Sequence, residues 1–292
     1  MVKNNLGLGP NQSIEGMSLR PQQPLKIGVA GLGAIGMPVA RWLDGGADNN
    51  NLILAGVSAG DKERAKQRVA GFNTPPSVLT LKQLVKVSDV LVEGLPPDIF
   101  EELAEPVVAQ GKTLIVMTLT SLMRRLDLTY RAKETGATII AASGALVGFD
   151  AIRAAAKGTI HSVVMKTRKP PKSLKKAPFV IEQGIDMDNL TTSICLYKGS
   201  VRDAAAKFPA NVNVAVALAL AGMGLDHTEY EIWADPDVSR NIHSITVDAD
   251  AVNLNLEIAN VPSEENPATG KITALSAIAT LERLVSPFTV GT

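Results

Sequence analysis

The stretch Lys26-Ile27-Gly28-Val29-Ala30-Gly31-Leu32-Gly33-Ala34-Ile35-Gly36 decides the fold. Its first half is a short apolar run, which suits a parallel strand buried on both faces. Glycines follow with the spacing GxGxxG, and a helical pattern then runs from Met37 to Leu43. Glycine triplets also arise by chance at ordinary strand–helix turns. Here a strand before, a helix after and an alternating β/α unit around them favour a dinucleotide-binding turn. Gly31 is expected to make the tight turn, Gly33 to let the backbone approach a pyrophosphate, and Gly36 to let the helix pack close to the strand. The backbone N–H groups of the helix start, around Ala34 and Ile35, then face the anion.

Leu52 to Val57 reads as the second strand, whose end should read the ribose. An acidic side chain there would bond the 2′-hydroxyl of NAD. The chain instead continues Ser58-Ala59-Gly60-Asp61-Lys62-Glu63-Arg64, with no acid near Ser58. Ser58 can donate to a 2′-phosphate with Lys62 or Arg64 supplying charge, and Asp61 can serve NAD if the loop curls back. The cofactor is therefore NAD or NADP. Strand candidates at Asp89–Glu93, Leu114–Met117 and Thr138–Ala141 alternate with helical stretches at Asp61–Val69, Ile99–Gln110 and Leu126–Thr135. That alternation predicts an α/β doubly wound parallel sheet, a Rossmann domain over residues 25–145.

The pattern changes near residue 145. Phe149–Lys157 reads as a connecting helix. Ile160–Lys166 alternates like a half-buried strand, which Arg168-Lys169-Pro170-Pro171-Lys172 breaks into a basic loop. Ser193–Tyr197, Glu229–Trp233, Ser244–Ala249 and Val252–Ile258 are further strands, with helices at Ala204–Lys207 and Val214–Ala221. This predicts a mostly antiparallel sheet with helices on one face, an α+β domain over 146–269. The amphipathic helix Ile272–Leu284 follows and has the option of returning to the first domain. Residues 1–24, rich in Asn, Gln, Gly and Pro, read as a flexible extension.

The 292 residues suit two domains, and 46% hydrophobic with 20% charged residues are globular proportions. Twenty-nine basic and 29 acidic residues leave no positive field for nucleic acid, and 4% aromatics leave no base-stacking platform. No stretch reaches the length of a membrane span, and the N-terminus has no apolar core of signal-peptide length. A single cysteine, Cys195, forms no intramolecular disulfide, fits a reducing cytoplasm and reads as core filler. No His/Asp/Glu/Cys set has metal-ligand spacing, so no metal is expected.

Four segments go beyond a generic nucleotide fold: Ala142-Ser143-Gly144-Ala145, Phe208-Pro209-Ala210-Asn211-Val212-Asn213-Val214-Ala215, Ala234-Asp235-Pro236 with Asn241-Ile242-His243, and Asn266-Pro267-Ala268-Thr269. With the glycine turn they resemble the L-aspartate dehydrogenase family, from about Lys26 to about Leu284. The resemblance implies a Rossmann domain plus an α+β domain for catalysis and homodimerisation. It implies NAD(P)-dependent conversion of L-aspartate to iminosuccinate, which hydrolyses to oxaloacetate and ammonia or feeds pyridine nucleotide biosynthesis. It implies that His243 is the active-site residue and that Ala145 and Asn213 contact the cofactor. The chain departs from the family pattern at Ser58 and at Gly270-Lys271, where a small polar residue is expected after the fourth segment.

Of three histidines, His161 and His227 read as structural. An imidazole such as His243 can take and return a proton near neutral pH, with Asp235 or Asn241 as candidates to fix its tautomer. Asn211 reads as a helix cap or a site residue. A dicarboxylate needs cations, for which Arg168, Lys169 and Arg240 are the candidates, a solvated loop being the alternative for the first two. Two other functions fit the same motifs: a reductase of another imine or keto acid, and a nucleotide sensor without turnover. A sensor has no use for the proton shuttle that His243 supplies.

Overall fold

The computed structural model describes residues 23–46, 51–266 and 269–291. The proposed N-terminal extension lies outside the described residues except for Gln23 and Pro24, as do Pro267 and Ala268 of the fourth segment.

Five parallel strands build the first sheet: β1 (Leu25–Ala30), β2 (Leu52–Ser58), β3 (Val90–Glu93), β4 (Thr113–Val116) and β5 (Thr138–Ala141), in the order β2-β1-β3-β4-β5. The helices between them are α1 (Gly36–Asp44), α2 (Lys62–Val69), α3 (Leu81–Val87), α4 (Phe100–Ala109), α5 (Leu119–Arg124) and α6 (Asp127–Thr135). Asp61 caps α2 by accepting from the Arg64 N–H at 3.0 Å. The strand order reverses at β1/β3, so a crevice opens beyond their carboxyl ends, where such sheets bind ligands. Glu93, wholly buried at the end of β3, shapes that edge. Its carboxylate accepts from the backbone of Leu95 (2.7 Å), Met117 (3.1 Å) and Thr118 (2.9 Å), tying the β3 and β4 loops together.

After α7 (Phe149–Ala155) comes a mixed sheet: β6 (Ile160–Lys169), β7 (Ile194–Ser200), β8 (Thr228–Ala234), β9 (Ile242–Ala249) and β10 (Asn253–Ala259), ordered β10-β9-β6-β8-β7. Only β6–β8 is parallel, and the other three pairings are antiparallel. Helices α8 (Pro178–Glu182), α9 (Val201–Lys207) and α10 (Asn213–Ala221) belong to this half. The last helix, α11 (Lys271–Val285), packs on α1, where Ala277 and Leu281 join the core beside Val39 and Leu43.

The structure corrects two expectations. Arg168 and Lys169 are not in a loop: β6 is the central strand, and pairing with β8 on one side and β9 on the other carries it through Lys169 before Pro170 ends it. Cys195 is exposed and fills no core. The register shift between Cys195 and Tyr197 on the edge strand β7 interrupts the alternation that would have turned the thiol inward.

Candidate active site

Each glycine of the turn meets a different constraint. Gly31 has φ +91°, a left-handed conformation, and a Cβ on it would lie 2.2 Å from the Gly94 carbonyl oxygen. A Cβ on Gly36 would lie 1.8 Å from the Gly31 oxygen, so only glycine lets α1 pack this close to the turn. A Cβ on Gly33 would meet nothing within 4 Å. The protein's own packing therefore does not demand glycine at 33. It leaves the backbone at 33 open, as the second glycine of a dinucleotide-binding turn does for a pyrophosphate.

From this turn a crevice runs both ways. One arm, a cavity of about 620 Å³, is lined by Gly33, Ala34, Asp61, Arg64, Arg68 and Glu265, among others. Arg68 bonds the Leu32 carbonyl and the Glu265 carboxylate. Ser58 is buried and does not line this arm; its carbonyl accepts from the Gly31 N–H at 2.8 Å. The side chains of Asp61, Arg64 and Arg68 line this arm beside Gly33.

The other arm is a cavity of about 260 Å³ between the two sheets. It brings together Ile35, Ala145, Lys169, Asn211, Asn213 and His243, with Asn266 shared by both arms. His243 is 2% exposed on β9, and its Nδ1 lies 3.0 Å from the Thr167 hydroxyl of β6. Burial, reinforced by the Lys169 charge, pushes its imidazole down to about 3, so the ring is neutral near pH 7. Lys169 shares the inward face of β6 with Thr167. Its Nζ donates to Asn211 Oδ1 at 3.1 Å, and burial pushes the ammonium down to about 8.

Arg168 alternates to the opposite face of β6 and donates to the buried Asp235 at 2.6 Å. Arg240 is exposed, and neither arginine lines the cavity. Asp235 is thereby committed to Arg168, so the side-chain partner of His243 is Thr167, a residue the sequence did not single out. Asn211 is no helix cap, because α10 starts at Asn213 and Asn211 binds Lys169. Asn213 bonds the β4–α5 segment of the first domain, accepting from the Thr120 N–H at 3.0 Å and donating to the Met117 carbonyl at 3.3 Å. Ala145 is held through its carbonyl by Asn260 at 3.2 Å. His161 and His227 are exposed. Gly270 lines the cavity, while Lys271 turns to Glu264 at 2.9 Å. Among the described residues, no group of three or more His, Cys, Asp or Glu is placed to hold a metal.

Residues 150–284 match the family model "Aspartate dehydrogenase, C-terminal", and residues 31–142 match "Homoserine dehydrogenase, NAD binding domain". The chain is 45% identical to an L-aspartate dehydrogenase of Bradyrhizobium diazoefficiens over 92% of its own length and 94% of the relative's. It is 44% identical to L-aspartate dehydrogenase 3 of Bordetella bronchiseptica, over 93% and 99%. The chain belongs to the L-aspartate dehydrogenase family. As a member it is an NAD(P)-dependent amino acid dehydrogenase. The crystal structure of aspartate dehydrogenase from Thermotoga maritima shares the fold, with a TM-score of 0.67 at 22% identity over 91% of this chain and 99% of that one. Among the described residues, no helix is long and apolar enough to cross a membrane.

Proposed function

We propose that the enzyme interconverts L-aspartate and iminosuccinate, the latter hydrolysing to oxaloacetate and ammonia, with His243 as the proton-transfer residue. The observation that carries this reading is the buried imidazole of His243 in a cavity that also holds the Lys169 cation and runs into the glycine turn. Bound along the crevice, NAD or NADP supplies the acceptor for the hydride that leaves the substrate Cα. Gly31, Gly33 and Gly36, with the N–H groups around Ala34 and Ile35, would hold its pyrophosphate, and Ala145 and Asn213, which line the adjoining cavity, would contact it. Lys169 pairs with a substrate carboxylate. His243 takes a proton from the α-ammonium in oxidation and returns it in reductive amination. The substrate's two carboxylates beside the ring favour its protonated form and offset its burial. Arg168 and Arg240, outside the cavity, have no role in this scheme.

We further propose a cytoplasmic homodimer. Helices cover one face of the second sheet, while Lys166, Trp233, Ser244 and Thr246 leave the other partly open. A substrate panel tests the assignment. It covers L-aspartate, D-aspartate, other amino acids, and oxaloacetate with ammonia, each with NAD and NADP, followed by absorbance of the reduced cofactor. L-aspartate and the oxaloacetate–ammonia pair should turn over fastest. A faster rate with a different amino or keto acid would assign a related reductase, and no turnover at all would assign a sensor.

A further inference from the structure

One face of α2, together with its N-cap, lines the larger arm of the crevice. Asp61, Arg64, Ala65 and Arg68 recur at intervals of three and four residues and so share that face. Glu265, from the loop between β10 and α11, lines the same arm and reaches Arg68. The charged side chains of the arm are therefore Asp61, Glu265, Arg64 and Arg68, and all but Arg64 are engaged. Asp61 turns Oδ1 to its own helix and accepts from the Arg64 N–H at 3.0 Å. Arg68 donates one Nη to the Leu32 carbonyl in the glycine turn and the other to the Glu265 carboxylate. Arg64 is exposed, and among the described residues its guanidinium has no hydrogen-bond or ion-pair partner.

The end of β2 lacks the carboxylate that would bond a ribose 2′-hydroxyl there. Ser58 is buried, Ala59 follows it, and the first acidic side chain, Asp61, is spent on the start of the helix. An unpaired cation one turn into α2 suits an anion instead. At the adenosine end of a nicotinamide dinucleotide, the anion that distinguishes NADP from NAD is the 2′-phosphate. Arg68 carries the same charge, but the Glu265 carboxylate offsets it and the Leu32 carbonyl holds the guanidinium in place. Lys62 does not line the arm. We propose that Arg64 is the specificity-determining residue that receives the 2′-phosphate of NADP, and that Glu265 keeps Arg68 from doing the same. The proposal rests on the reading that the dinucleotide lies along the crevice with its pyrophosphate at the glycine turn. Arg64 draws the phosphate in, while the two carboxylates of the arm limit how strongly. The expected outcome of that opposition is use of both cofactors, not of NADP alone.

Equilibrium binding of NADPH and NADH to the full-length protein, followed by the fluorescence of the reduced nucleotides, tests this without turnover. Arg64→Gln should weaken NADPH about 10- to 100-fold, the loss of a charge-assisted contact, and NADH by less than about 2-fold. Adenosine 2′,5′-bisphosphate, titrated calorimetrically, should lose affinity by a similar factor, whereas 5′-AMP should not. Lys62→Gln removes an equal charge beside the arm and should leave the NADPH:NADH affinity ratio within about 2-fold of wild type. Glu265→Gln releases Arg68 and should shift that ratio toward NADPH. Equal weakening of both cofactors by Arg64→Gln, an unchanged NADPH affinity, or an equal fall of the ratio in Lys62→Gln overturns the assignment of Arg64. A ratio unmoved by Glu265→Gln overturns the role of that carboxylate. Gly33→Val separates these failures from failure of the underlying reading, because it should weaken both cofactors alike. If it does and Arg64→Gln changes neither, the placement of the dinucleotide stands and Arg64 falls. If Gly33→Val leaves both affinities intact, the placement is wrong and the proposal falls with it.

Discussion

At the scale of single residues, His243 and Lys169 both have their charged forms disfavoured by burial, and each leaves a pH signature. The imidazole falls from its ordinary 6.5 to about 3 in the fold. Between those values the unfolded chain binds a proton that the folded one refuses, so stability rises with pH across the window and is lost on acidification below about 6.5. Wild type should therefore lose about 1–2 kcal/mol more than His243→Gln between pH 6.5 and 5. Urea unfolding at the two pH values checks this, and equal losses would contradict it. Lys169, at about 8, is mostly cationic at pH 7 and mostly neutral above pH 9. Binding of succinate, a dicarboxylate that cannot be oxidised at an amine, should weaken as pH rises through 8. In Lys169→Met it should be about 10- to 100-fold weaker at pH 7 and flat with pH. Calorimetric titration reads both. His243 was legible in the sequence through its motif. Lys169 was legible only as one of three cations, because Pro170-Pro171 reads as a loop and hides how far β6 extends. Thr167 was not legible at all: its role depends on the register of β6 against β9, which no local pattern encodes.

At the scale of elements, the glycine turn separates two reasons for conserving space. Gly36→Ala forces a Cβ onto the Gly31 carbonyl, and it should lower the melting temperature of the cofactor-free protein. Gly33→Val meets no protein atom within 4 Å of its new Cβ. It should leave that melting temperature nearly unchanged and weaken cofactor binding by about 100-fold or more, roughly 3 kcal/mol. Thermal melts and titrations that follow Trp fluorescence measure the two effects. Strong destabilisation by Gly33→Val, or unchanged affinity, would contradict the assignment. The strands were legible because β1 and β3 are continuous apolar runs and β6 and β8 alternate. Three helices, α3, α5 and α8, were not. The start of α3 is marked by the capping box of Thr80 and Gln83, a signal present in the sequence but unread. No cap marks α5, which is held by tertiary packing on α10.

At the scale of the molecule, the two halves share one continuous core. Leu119 and Leu122 of α5, Leu146 before α7 and Ile152 within it connect the Rossmann side to the β6–β9 sheet. Asn213 adds polar bonds across the same junction. The crevice is therefore built between parts that pack as one body, with α11 closing the return to α1. The open face of the second sheet is the surface proposed to pair with a second copy. Light scattering should give twice the chain mass of 30.8 kDa or an even multiple of it, and the single-chain mass would contradict the dimer. The central claim concerns the cavity that this architecture encloses. Its most direct test is the steady-state rate of L-aspartate oxidation by wild type and His243→Ala, with cofactor affinity measured on both. A fall in turnover of about 10²- to 10⁴-fold at unchanged cofactor affinity is the result predicted for a residue that moves the proton. Retention of more than about half the wild-type turnover, far outside that range, would contradict the account.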